Sequence, residues 1–344
     1  MLPPELLQDI INHLWEDAQT LSTICLSDKL MHAIATPLLY HHVTLGHPAI
    51  VLSFRQALSM TQHPLGHFVC LLRIGTDQRP PDGRMHRYMV PALRDILCRM
   101  PNLRELFLAA TFTTVNLCLN DLKAPFSLER LVCPCVASGA FWSFLRSQPS
   151  ITAIEFFAYE CNPDKFVRSV PEDILPNLNT FRGSLDALTA FSRLGPVSNF
   201  TITGWGAYYS FRDLALLVTG TPVQSIICHD FHPHEDTKLD SVLRNSAYGT
   251  LAKSLKILTV VDRCMPGSSL KDTPVARYCL DRLSNFRALE EFKIVRDDEV
   301  VAENESTQNT SEWLGDWATQ DTWRHVCPSL RTVKVYEENV LSAT

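Results

Sequence analysis

One apolar spacing recurs along most of this chain and limits what it can fold into. In Pro101-Asn102-Leu103-Arg104-Glu105-Leu106-Phe107-Leu108 the leucines follow a Leu-x-x-Leu-x-Leu pattern. Side chains alternate faces along a strand, so Leu106 and Leu108 point one way, Glu105 and Phe107 the other, and Leu103 enters from the preceding turn. The triplet returns as Val69/Leu72/Ile74, Leu128/Leu131/Cys133, Ile151/Ile154/Phe156, Leu178/Phe181/Gly183, Val197/Phe200/Ile202, Val223/Ile226/Cys228, Leu255/Leu258/Val260, Leu289/Phe292/Ile294 and Leu330/Val333/Val335. One such strand cannot bury its apolar face alone, whereas a stack of copies builds a continuous core. A repeat architecture grows along one axis, so a length of 344 residues does not require division into compact domains of ordinary size.

Between the triplets, residues 90–100, 139–147, 184–194, 211–219, 238–248, 275–286 and 312–326 carry apolar side chains at three- and four-residue steps, the helical period. Pro101, Pro149, Pro176, Pro196, Pro222 and Pro328 precede strands, where they end helices and turn the chain. Helix, proline, strand, repeated, predicts parallel strands joined by crossovers. Copies start 19 to 41 residues apart, so the expectation over 46–344 is an irregular α/β solenoid. Residues 77–87 (locally basic) and 297–311 (acidic and polar) break the pattern and are expected to be loops.

Residues 1–45 lack the repeat and form an all-α module of their own. Leu2-Pro3-Pro4-Glu5 suits a helix start, and Leu6, Leu7, Ile10, Ile11 and Leu14 then fall on one helical face. A second helix follows Asp17 with Leu21, Ile24 and Cys25 inward, and a third runs from Asp28 to about Ala35, with Pro37 expected to stop it. Three short helices make a small core, so the module is expected to lean on a partner or on the repeats.

The pattern Leu2-Pro3-x-Glu5-Leu6-(x)3-Ile10-(x)3-Leu14, then Leu21-(x)2-Ile24-x-Leu26-Ser27, then Ala35-x-Pro37-Leu38-Leu39-Tyr40, resembles the F-box. Followed by the repeats, it is similar to F-box proteins of the leucine-rich-repeat type. Asp28-Lys29-Leu30 departs from the usual F-box pattern, standing where a basic pair and a large aromatic are common. The resemblance implies a substrate-recognition subunit of a Skp-cullin-F-box ubiquitin ligase, which acts in protein degradation by bringing a target near a charged ubiquitin carrier. It implies that Leu2, Pro3, Glu5, Leu6, Ile10, Leu14, Leu21, Ile24, Leu38 and Tyr40 contact the Skp-type adaptor, with the cullin beyond it. Two readings stand beside it: a leucine-rich-repeat scaffold without a ligase, in which residues 1–45 merely cap the first repeat, and a metalloenzyme or hydrolase built on a histidine-rich loop.

That loop, His229-Asp-Phe-His232-Pro-His234-Glu-Asp236, carries three histidines and three carboxylates. Pro233 stiffens it and no scaffold makes its ligands converge, so a polar loop is the expectation and no metal or other cofactor is assigned. Cys133-Pro-Cys135 is too close for zinc spacing, and no Gly-x-Ser-x-Gly, Gly-x-x-x-x-Gly-Lys, His-Glu-x-x-His or complete Gly-x-Gly-x-x-Gly occurs, so no catalytic residue is assigned. A net charge of -6 and the lack of a basic cluster with interleaved aromatics argue against nucleic acid. With no stretch of about 18 apolar residues and no apolar leader after the opening Met-Leu-Pro-Pro-Glu, the expectation is a cytoplasmic or nuclear protein with no membrane partner. Its eleven cysteines, with Cys70, Cys98, Cys133, Cys228 and Cys279 in strand or helix patterns, are expected to be reduced core residues.

Binding surfaces are therefore sought on the repeats. The concave sheet face should display Glu105, Phe107, Arg130, Val132, Glu155, Arg182, Thr201, Ile227, Thr259, Lys293 and Lys334. The rim where strands exit carries Phe157, Tyr159, Trp205, Tyr208, Tyr209, Phe231 and His232. Tyr159, Arg182, Trp205, Tyr208, Tyr209, Ile227 and Phe231 come from consecutive turns and are the expected contacts for an unidentified target protein.

Overall fold

The computed structural model describes residues 3–15, 17–60, 64–75, 84–134, 138–157, 174–184, 187, 197–203, 223–231, 251–262, 283–296, 320–335 and 338–341. The chain divides into two compact units, Met1–Glu155 and Phe156–Thr344. The boundary falls within β5 (Ala153–Phe157). Both units are α/β with parallel strands that follow one another in sequence order.

The first unit opens with three helices, α1 (Pro4–Asn12), α2 (Ala18–Cys25) and α3 (Lys29–Leu39). Pro4 sits in the first turn of α1, where its missing N–H costs nothing. The Asp17 carboxylate accepts from the Thr20 N–H at 2.9 Å to cap α2, and Asp28 caps α3 through Met31 N–H at 2.9 Å. Ile11, Leu21 and Ala35 are buried where the helices meet, with Leu14, Ile24, Cys25, Met31, Ile34, Leu38 and Leu39 packed around them. Pro37 does not stop α3 as expected: it lies in the last turn, where the helix runs on to Leu39 and Tyr40 N–H still reaches Thr36 O at 3.1 Å. Near a helix end proline costs only one bond.

Next come β1 (His42–Leu45), α4 (Pro48–Met60), β2 (Leu71–Ile74), α5 (Arg84–Leu97), β3 (Glu105–Leu108), α6 (Phe112–Leu119), β4 (Arg130–Pro134) and α7 (Gly139–Arg146). β1 pairs with β2, β2 with β3 and β3 with β4, all parallel. Residues 42–45, assigned to the helical module from sequence, are thus the first strand of the sheet, with Val43 and Leu45 buried. Helices α4 and α6 were not anticipated, and α5 starts at Arg84 rather than 90, so residues 84–87 are helical rather than loop. Pro91, included in the expected helix, lies inside α5, which continues on both sides of it.

In the second unit β6 (Thr180–Gly183), β7 (Asn199–Thr203), β8 (Ser225–Phe231), β9 (Ile257–Asp262), β10 (Glu291–Arg296) and β11 (Thr332–Val335) pair in that order; β6 to β9 and β9 to β11 are parallel throughout. Helices α8 (Leu251–Ser254) and α9 (Gln320–Val326) precede β9 and β11. Most of the helices expected over 184–194, 211–219, 238–248, 275–286 and 312–326, and the loop at 297–311, lie outside the described residues. An unanticipated β12 (Glu338–Leu341) pairs antiparallel with β11, so its backbone occupies donors and acceptors that an edge strand leaves open.

Every triplet position is buried, from Val69 and Leu72 at 0% exposure to Phe200 at 7%. Adjacent turns are tied by a recurring device in which two successive N–H groups share one carbonyl. Arg104 and Glu105 donate to Cys70 O, Glu129 and Arg130 to Arg104 O, Lys256 and Ile257 to Gln224 O, and Arg331 and Thr332 to Glu290 O, at 2.8–3.1 Å. Two glycines allow the turns to approach: a Cβ on Gly66 would overlap the Arg99 carbonyl, and Gly75, at φ 89°, lies against the Ala109 carbonyl.

Candidate functional site

The three N-terminal helices leave apolar side chains on the surface. Leu6 is 49% exposed, Ile10 52%, Leu26 85% and Leu30 44%, while Ile11, one residue from Ile10, is 2% exposed. Leu6, Leu7, Ile10, Ile11 and Leu14 therefore do not share one buried face. Ile11 and Leu14 turn into the helical core, and Leu6 and Ile10 are turned out by the 100° step between residues. Of the residues expected to contact an adaptor, Pro3, Glu5, Leu6 and Ile10 are exposed. Leu21 is buried, and Leu14, Ile24, Leu38 and Tyr40 are half-buried within the module or against its neighbours. Leu2 lies outside the described residues. Leu21 thus contributes to holding the helices together rather than to an outer contact. Sequence reading did not single out Leu26 and Leu30 as surface residues; the available signal was their place on either side of the Asp28 cap, where α2 ends and α3 begins.

Aromatic contacts join this module to the first strand. The Tyr40 ring stacks on Phe54 of α4 with centroids 6.3 Å apart, and Trp15 meets His42 edge-on at 5.4 Å. His41 lies 4.8 Å from His42. Partial desolvation, then the nearby His42 and Arg104, push the His41 imidazole below the ordinary histidine range.

On the sheet face of the first unit, charges compensate one another. Arg130 lies 3.6 Å from Glu105 and 3.4 Å from Glu155, Arg104 is 3.6 Å from Glu129, and the Arg73 guanidinium sits 4.6 Å above the Phe107 ring. Val132, expected on this face as an exposed residue, is only 5% exposed. In the second unit register places Arg182, Thr201, Ile227, Thr259, Lys293 and Lys334 side by side on neighbouring strands. Arg182 is exposed and the other five are half-buried. Two of the residues expected to meet a target, Arg182 and Ile227, are therefore in one row, two strands apart. Phe231 ends β8 at the register of Asp262, beyond an irregularity in the pairing. Tyr159, Trp205, Tyr208, Tyr209 and His232 lie outside the described residues.

His229 occupies β8 and is half-buried, and the remainder of the histidine-rich segment falls outside the described residues beyond Phe231. Among the described residues no group of three His, Cys, Asp or Glu side chains is placed to hold a metal, and no helix is long and apolar enough to cross a membrane. Cys118, Cys133, Cys228 and Cys327 are buried free thiols; burial pushes the Cys118 and Cys228 thiols up to about 12, and raises Cys133 as well. Cys98, expected in the core, is instead exposed, because α5 ends at Leu97 and the thiol lies beyond its buried stripe. Cys279 lies outside the described residues. The chain matches no protein-family model and no curated protein.

Proposed function

We propose that this chain is a protein-recognition subunit: the N-terminal helices dock on a Skp-type adaptor of a cullin-based ubiquitin ligase, and the strand-bearing units hold a target protein. The reading joins the F-box-like and leucine-rich-repeat-like patterns of the sequence to one structural observation. Leu6, Ile10, Leu26 and Leu30 stand 44–85% exposed on a three-helix module whose opposite side chains are buried. Several large apolar side chains left at the surface of so small a module favour an interaction site over a simple cap. Under this reading the subunit performs no chemistry. It raises the local concentration of a target lysine near the ubiquitin carrier held by other subunits.

The test is co-purification of the full chain with a Skp-type adaptor, and with Leu6→Asp and Ile10→Asp variants. A charge placed at the centre of an apolar contact is expected to weaken binding by about 2 kcal/mol or more. Because both side chains are about half exposed, thermal stability should stay within about 1 kcal/mol of the parent. A folded parent chain that binds no adaptor at micromolar concentration would leave the scaffold reading in its place.

A further inference from the structure

We propose that the open edge of β1 is a self-association surface, on which a second copy of the chain pairs antiparallel with His42–Leu45 about a twofold axis at Val43. This surface is independent of the adaptor contact proposed above.

β1 is the first strand of the sheet and has a strand on one side only, β2. Its bonds to β2 run through alternate residues: Leu71 N–H reaches His41 O at 3.1 Å, and Gly75 N–H reaches Leu45 O at 3.0 Å. Successive residues of a strand turn their backbone groups to opposite sides, so the N–H and C=O of His42 and Thr44 point away from β2. Among the described residues nothing bonds these groups. The preceding helices meet the strand at its entry, where Trp15 lies edge-on to the His42 ring, and both His42 and Thr44 remain exposed. Proteins ordinarily protect such an edge with charged side chains, proline, a bulge or a covering segment. In the second unit the antiparallel β12 covers β11. β1 holds no proline, and residues 30–54 carry no Asp, Glu, Lys or Arg in a chain that is 20% charged. A second copy therefore meets no like charge along this edge.

The spacing of the outward groups selects the partner. Those of His42 and Thr44 are related by a twofold axis through Val43, so rotation about it sets His42 opposite the partner's Thr44 and Thr44 opposite the partner's His42. Both are hydrogen-bonded pairs, and between them Val43 faces its own copy as a non-hydrogen-bonded pair. The same rotation brings α4 beside the partner's α4. Arg55 of α4 reaches Asp95 of α5 at 2.8 Å. Ser53 and Ala57, each two residues from Arg55, lie about 200° around the helix, on the flank turned away from α5. Ile50 completes that stripe at a three-residue step and is 49% exposed. An extended segment of another protein would pair with β1 but leave this uncharged flank in water, whereas a second copy covers strand and helix together. The result is the isologous contact of a twofold dimer. A four-residue strand and one helix flank make a small contact, so the dimer should form at about 10 μM rather than at nanomolar concentration.

Sedimentation equilibrium of the full chain between about 1 and 100 μM should show the mass doubling as concentration rises. Thr44→Pro removes an outward N–H while leaving the bonds to β2 in place, and Ile50→Lys sets a charge against its own copy on the helix flank. Each should weaken the dimer at least about tenfold. Melting temperatures confirm that the variants are folded, and Ile50→Lys, at an exposed position, keeps the test decisive if Thr44→Pro does not fold. Disulfide capture reads the register: a mixture of His42→Cys and Thr44→Cys chains should cross-link under mild oxidation above the level of the parent chain. Either variant alone places its two new thiols diagonally across the axis, too far apart to join, and should not exceed the parent. A chain that is monomeric at about 100 μM, or a dimer unchanged by both Thr44→Pro and Ile50→Lys, would overturn the surface. Cross-linking by one variant alone would overturn the axis at Val43. Adaptor co-purification reads the N-terminal helices and not β1, so the two readings fail separately.

Discussion

Gln148 is the buried polar side chain on which the approach to β4 depends, and replacing it separates local from global stability. At 2% exposure, its Oε1 accepts the Leu128 N–H at 2.8 Å and its Nε2 donates to Phe126 O at 3.3 Å. Both bonds reach back to the connection between α6 and β4, to the residues on either side of Ser127. Gln148→Leu keeps nearly the same volume and removes both partners, leaving one buried donor and one buried acceptor. Each unsatisfied group costs about 1–3 kcal/mol, so the substitution should destabilise the first unit by roughly 1–4 kcal/mol once the gain from burying a leucine is set against it. Gln148→Glu retains the acceptor for Leu128 but loses the donor to Phe126 and buries a charge, so it should be at least as damaging. Hydrogen exchange followed residue by residue on the full chain reads the effect directly: protection of the Leu128 amide should fall in Gln148→Leu well beyond that of amides in β9 and β10. Urea unfolding gives the total. An unchanged Leu128 protection factor with unchanged urea midpoint would refute the assignment of Gln148 as the side chain that satisfies this turn.

Three further outcomes follow from positions already described. Ile11→Ala should cost about 2–5 kcal/mol because it opens a cavity between α1, α2 and α3, whereas Ile10→Ala should leave stability within about 0.5 kcal/mol; circular dichroism melts distinguish neighbours that sequence alone treats alike. Gly75→Ala, at φ 89° and against the Ala109 carbonyl, should destabilise by about 1–3 kcal/mol, measured by urea unfolding. Since His41 is held below the ordinary histidine value, the unfolded chain takes up its proton first as pH falls. The contribution of His41 is therefore complete above about pH 6.5 and is lost progressively below it; His41→Phe should flatten that part of the stability-versus-pH curve.

The repeat was legible without coordinates because its signal is short-range: in a parallel strand, burial of one face forces an apolar residue at every second position, and each copy repeats the demand. Leu106 and Leu108, or Phe292 and Ile294, could satisfy it in only one way, and all are buried. The three N-terminal helices were legible for a similar reason, through Asp17 and Asp28 as caps and the apolar spacing between them. Which apolar side chains remain outside was not, because Leu6, Ile10 and Ile11 have the same hydrophobicity and differ only in the direction they take once α1 has docked. Strand β1 was hidden for want of a full triplet, whereas α4 and α6 carry the helical spacing, as Val51, Phe54 and Leu58 and as Val115, Cys118 and Leu119, and were available to the sequence reading but not singled out by it. The candidate site divides in the same way. Alternation along single strands was sufficient to place Arg182, Ile227, Lys293 and Lys334 on one face, but it says nothing about register. Only pairing across β6 to β11 puts them in a single row with two lysines side by side, since register is set by contacts between residues far apart in the chain.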